Sequence, residues 1–156
     1  MTAADKNGPG LKFPPPLLAF AAIGCAWMID AIKPLPIVEG EALSLGGGLI
    51  LAIALMIALV ALLQFIQAKT KIEPWHPTSA IIRKGVYRFS RNPIYLAFCI
   101  ATVGAGLVLN SWWVIASVAI VKSSLEHLVI SREEIYLEKK FGDVYLDYKR
   151  RVRRWL

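Results

Sequence analysis

The chain has 156 residues, 56% of them hydrophobic, and a formal net charge of +7. A mean hydropathy of +0.54, with several uncharged apolar runs, excludes an ordinary soluble domain of this size and points to an integral membrane protein. The 18 Lys and Arg residues gather just outside the apolar runs, where cytoplasmic membrane loops collect them, so the charge is read as topology and not as a nucleic-acid surface.

A helix needs about 20 apolar residues to cross a bilayer core. Four segments qualify, at about 14–32, 43–68, 94–110 and 112–130, giving an all-α, four-helix membrane domain over 1–156. The first span has a rival reading as a cleaved signal, because Lys6 and Lys12 precede it and AIGC ends at Cys25. Ala22 and Ile23 are unusual before such a cysteine, and the uncleaved span is preferred. Cys25 and Cys99 both fall inside apolar runs, where a thiol acts as a small hydrophobe, so no disulfide framework and no metal site is expected. The glycines of 46–48 and 104–106 also lie in apolar helices. No strand followed by GxGxxG exists, which excludes the soluble nucleotide-binding architecture and leaves close helix packing as their reading.

The loop from about Lys69 to Pro93 carries six cations against Glu73, whereas the loop from Lys33 to Ala42 has Lys33 against Glu39 and Glu41. The first is therefore cytoplasmic, and four spans place both termini on the same side. Within it, PWHP brackets His76 with prolines, and GVYRFSRNPIYLA (85–97) runs directly into the third span. That span is the shortest and is expected to extend back into this stretch. His76 suits a loop folded over a ligand, although an exposed loop histidine is the commoner case.

Asn110 and Ser111 alone join the last two spans, which must form an antiparallel hairpin. At about 1.5 Å per residue, Arg91 to Tyr95 and Ile130 to Glu134 then return to one depth at the cytoplasmic surface. In the fourth span Lys122 and Glu126 stand four apart near His127, a spacing that suits either an ion pair or a cavity lining. Beyond it, SREEIYLEKKFG (131–142) offers adjacent carboxylates, and the basic tail ending in Trp155 suits an amphipathic helix on an anionic leaflet.

The two clusters together carry guanidinium, amide, phenol and carboxylate groups. S-adenosylmethionine needs donors for its carboxylate, an acceptor for its ammonium, acceptors for its ribose hydroxyls and an aromatic or apolar surface for adenine, and the constellation contains all four. The plainer alternative is that Arg91 merely pairs with Glu133 or Glu134 at a helix end.

HPTSAIIRKGVYRFSRNPIYLA followed by REEIYLEKKFGDVYLDYKRRVRRWL resembles the isoprenylcysteine carboxyl methyltransferases and phospholipid N-methyltransferases, in small members of bacterial type. The matched positions are Gly85, Tyr87, Arg91, Pro93, Tyr95 and Ala97, then Glu133, Glu134, Phe141, Gly142, Tyr145 and Tyr148. Asn92 stands where many members have histidine, so a histidine base does not carry over. The resemblance implies a bacterial or archaeal cell membrane and S-adenosylmethionine as cofactor. His76, Tyr87, Arg91, Asn92, Pro93, Tyr95, Glu133 and Glu134 are its implied surroundings, with Arg91, Asn92 and Glu134 as the catalytic set. It further implies methyl transfer to a lipophilic or lipidated acceptor, with membrane lipids as the other partners. A carboxylate such as prenylated cysteine is the easier acceptor, because it needs no base; a lipid amine is the alternative. A non-catalytic assembly or transport component is the rival from another class.

Overall fold

The computed structural model describes residues 8–11, 13–38, 40–70 and 78–156, and among them every regular element is helical. Helix α1 (Pro16–Ile32) opens on prolines, whose fixed φ suits a first turn and whose missing N–H would find no partner there. Helix α2 (Glu41–Gln67) follows, then a single 3₁₀ turn at Gly85–Arg88 and helix α3 (Pro93–Val108). Helix α4 (Trp112–Leu125), a π turn (Glu126–Ile130) and α5 (Ser131–Phe141) make one continuous rod, after which α6 (Asp143–Arg151) closes the order.

Two of these helices are long and apolar enough to cross a membrane, the 27-residue α2 and the 30-residue rod Trp112–Phe141; α1 and α3 are shorter apolar helices. The outward faces are apolar. Phe20, Leu45, Leu49 and Ile120 are each more than half exposed, an arrangement that water would penalise and hydrocarbon accepts. In α2 the buried residues are Gly47, Ala54 and Ala61, seven apart and so on one stripe. This stripe of small residues lets α3 approach: a Cβ on Gly47 would sit 2.8 Å from the Gly104 carbonyl oxygen, and one on Gly104 3.0 Å from the Gly47 oxygen. The glycines of both apolar runs therefore include a packing pair, as small residues do between membrane helices.

The third helix does not extend back into 85–92. Asn92 precedes proline and has φ −130° and ψ 56°, because the following ring excludes the helical region, and α3 starts at Pro93. Its antiparallel partner begins after a three-residue turn. Ser111 caps α4 by accepting from Val114 N at 3.3 Å and donates to Asp30 at the end of α1 at 2.7 Å.

The π turn sets the rotational phase of α5. Buried positions along the rod run Val114, Ser117, Val121, Leu125, Val129, Ile130, Glu134 and Tyr136, spaced three, four, four, four, one, four and two. The one-residue step, from Val129 to Ile130, falls in the π turn, where Ser131 Oγ donates to the Glu126 carbonyl at 2.5 Å. A π turn adds one residue to the repeat, and here it keeps Glu134 on the face that α4 turns inward. Leu11, Ala19, Val121, Leu125, Val129 and Ile130 form the core at this end, with Trp155 packed against it. The segments before α1 and after α6 thus meet at the same end of the helices, beside the start of α3.

Candidate active site

The hairpin brings the two motifs into contact. Tyr95, one turn into α3, donates its hydroxyl to Glu133 Oε1 at 2.6 Å. Arg91, just ahead of α3, places Nη1 2.8 Å from Glu134 Oε1 and 3.1 Å from the Tyr145 hydroxyl. These groups surround a cavity of about 120 Å³, with Asn92, Pro93, Tyr87 and Tyr148 also in its wall and Phe65, Ile81 and Ile82 as its apolar side. His76 lies outside the described residues.

Each side chain is held by its element. Gly85 has φ +58°, and a Cβ there would overlap the Gln64 side chain at 1.5 Å; only glycine passes α2 this closely in the left-handed region. The 3₁₀ turn at this glycine buries Tyr87 against Phe65, ring centroids 5.8 Å apart. Gly142, with φ +53°, breaks the rod and sends α6 back across the site. On α6, Tyr145, Tyr148 and Lys149 share a face at i, i+3 and i+4. The Tyr148 hydroxyl donates to the Tyr87 carbonyl at 2.7 Å, and Lys149 Nζ lies 3.8 Å from Glu134 Oε2.

The two carboxylates have opposite environments. Glu134 is 6% exposed and accepts a bidentate fork from Arg154, Nε to Oε1 at 3.0 Å and Nη2 to Oε2 at 2.7 Å. Burial alone would raise its pKa, but the Arg154 hydrogen bonds, with the charges of Arg91, Arg154 and Lys149, hold it below the ordinary carboxylate value. Glu133 has no such cation among the described residues. Burial pushes it up to about 7, against the Tyr95 hydrogen bond and with help from the neighbouring Glu134 charge. One carboxylate is thus a fixed anion at neutral pH and the other is poised to exchange a proton. Burial raises Tyr145 to about 12 and Tyr148 further, so both remain phenols.

Arg91 Nε is buried and has no hydrogen-bond partner among the described residues. A buried guanidinium donor left unpaired in the wall of a cavity is a feature that a bound acceptor would satisfy. Asn92 does different work: its amide Nδ2 donates to the Arg154 carbonyl at 3.1 Å, and Ser90 Oγ reaches the same oxygen at 3.2 Å.

Sequence reasoning missed Arg154. Its composition suits the tail to an amphipathic helix on the leaflet, but α6 ends at Arg151 and the last residues turn inward. Arg91 N donates to the Arg153 carbonyl at 3.0 Å, and Trp155 Nε1 donates to Glu126 at 2.9 Å. The one available signal was arithmetic, because two adjacent glutamates faced a single motif arginine. Lys122 and Glu126 pair at 3.5 Å, with Lys122 also 5.6 Å from the Trp155 ring centre.

A family model for phospholipid methyltransferases matches residues 42–144. An uncharacterized protein of Haemophilus influenzae is 70% identical over 27 residues, which are 17% of this chain and 43% of that protein, so the chain spans less than half the length of this curated relative. No solved structure matches.

Proposed function

Since the chain belongs to the phospholipid methyltransferase family, we propose that it transfers the methyl group of S-adenosylmethionine to a lipophilic acceptor at the membrane surface. The observation that carries this reading is the pair of contacts Tyr95 to Glu133 and Arg91 to Glu134, which draw both motifs round one cavity. The cavity offers what the cofactor needs: an orphaned Arg91 Nε for its carboxylate, Glu133 for its ammonium or ribose hydroxyls, and Phe65, Ile81 and the tyrosine rings for adenine. Bound there, S-adenosylmethionine supplies an electrophilic sulfonium methyl. Glu134 holds Arg91 and Arg154 in place, Asn92 ties the start of α3 to the C-terminal segment, and the aromatic wall excludes water; rate then comes mainly from alignment.

We read α1, α2, α3 and α4 as four spans, with the cavity and both termini on the cytoplasmic side. Pro9 lines the cavity and Trp155 packs on the adjacent core, which supports placing both chain ends on that side. A lipid-borne acceptor then arrives laterally and the polar cofactor from water.

The preferred acceptor is a carboxylate such as prenylated cysteine, ionised at neutral pH and needing no base. A lipid amine is the second reading, favoured by Glu133, whose raised pKa lets it take a proton near neutrality. Titration calorimetry with S-adenosylhomocysteine on the detergent-purified protein tests the cofactor assignment, and no binding by folded protein overturns it. Incubation with methyl-labelled cofactor and either prenylcysteine or ethanolamine-lipid acceptors tests the rest. Label in the prenylcysteine set supports the carboxylate; label in the ethanolamine set alone, rising with pH, replaces it with the amine.

A further inference from the structure

Beside this cavity, and sharing Tyr148 with it, lies a second recess of about 410 Å³, lined by Arg83, Arg88, Arg151, Asp147, Tyr148 and Val152. Three arginines from two separate segments line it. Its single carboxylate, Asp147, is already paired with Arg150, and none of the three arginines has an ion-pair partner among the described residues. The Tyr148 hydroxyl is committed to the Tyr87 carbonyl. Like charges lining one recess repel one another unless an anion sits between them, and guanidinium forks match the geometry of a phosphate.

The surroundings of the recess favour a lipid anion over a free one. Arg88 lies five residues before Pro93, where α3 begins, and so within about 18 Å of the helix start even if the backbone is fully extended. Next to it in sequence Phe89 is 71% exposed, an aromatic ring of the kind that anchors membrane proteins at the interface. A free phosphate would leave Phe89 in water. A phospholipid would place its phosphate among the arginines and its chains beside the ring.

We propose that Arg83, Arg88 and Arg151 hold the phosphate of an anionic phospholipid headgroup at a site distinct from the methyl-transfer cavity. The assignment rests on the membrane placement of the four spans, not on the cofactor. Tyr148 lines both recesses, so the lipid is a fixed neighbour of the catalytic wall.

Native mass spectrometry of the full chain, released from neutral detergent micelles doped with phosphatidylglycerol or phosphatidylcholine, tests this. The parent should retain phosphatidylglycerol about tenfold over phosphatidylcholine, and the Arg83→Gln, Arg88→Gln, Arg151→Gln triple variant should lose about a hundredfold in its affinity for phosphatidylglycerol, near fivefold for each arginine. Single replacements, each expected to lose about fivefold, serve if the triple variant does not fold. Arg132→Gln, exposed and outside the recess, should change nothing. Equal retention of the two lipids by the parent, undiminished phosphatidylglycerol in the variants, or an Arg132→Gln loss as large as theirs overturns the proposal. So does displacement of the lipid by millimolar inorganic phosphate, which would mark a site for soluble anions.

Discussion

At the scale of single residues, the adjacent carboxylates behave as two different groups because their partners differ. Glu134 faces Arg91, Arg154 and Lys149, so Glu134→Gln leaves the buried Arg91 charge without its anion. It should destabilise the protein by about 3 kcal/mol, read as a lowered melting temperature in detergent, and weaken S-adenosylhomocysteine binding. Glu133 differs in sign. Its folded pKa, near 7, lies above the ordinary 4.5, so between those values the folded chain keeps a proton that the unfolded chain has lost. Stability should therefore fall as pH rises from about 4.5 to 7 and level off above. Glu133→Gln should flatten that part of the pH profile, and an unchanged slope would remove the proposed environment of this carboxylate. The adjacency of the glutamates was plain in the sequence. Which of them is neutralised was not, because that depends on Arg154, twenty positions away along the chain.

At the scale of elements, the α2 and α3 contact is the place where a single methyl matters. Gly47 and Gly104 meet backbone to backbone, whereas nothing stands within 4 Å of a Cβ on Gly48. Gly47→Val should cost about 1–3 kcal/mol by forcing the helices apart, while Gly48→Val, one position round the helix, should be tolerated. Thermal unfolding of the two variants side by side checks this, and equal losses would place the helix contact elsewhere. Runs of glycine in an apolar helix announce close packing, but they do not say which glycine faces the partner. The π turn at Glu126–Ile130 was equally hidden. It is held by Ser131 and by the core around Val129 and Ile130, and its added residue turns Glu134 inward.

For the whole molecule, the basic 69–93 loop and the clustering of both chain ends predict which side each loop faces. In a variant lacking Cys25 and Cys99, a cysteine at Val38, 57% exposed, should react with a membrane-impermeant maleimide added to intact cells. A cysteine at the exposed Lys84 should react only after the membrane is opened, and the reverse pattern would invert the topology. Composition and hydropathy by themselves determined that the chain is helical and apolar enough for a membrane, because those properties are sums over local residues. The short Asn110–Ser111 link also determined that Arg91 to Tyr95 returns to the depth of Ile130 to Glu134, since it forces an antiparallel hairpin. Only the tertiary structure decided that the C-terminal residues fold inward and that Arg154 rather than solvent completes the charge on Glu134. Those outcomes depend on a carboxylate buried by other elements, which must find a cation wherever the chain can bring one.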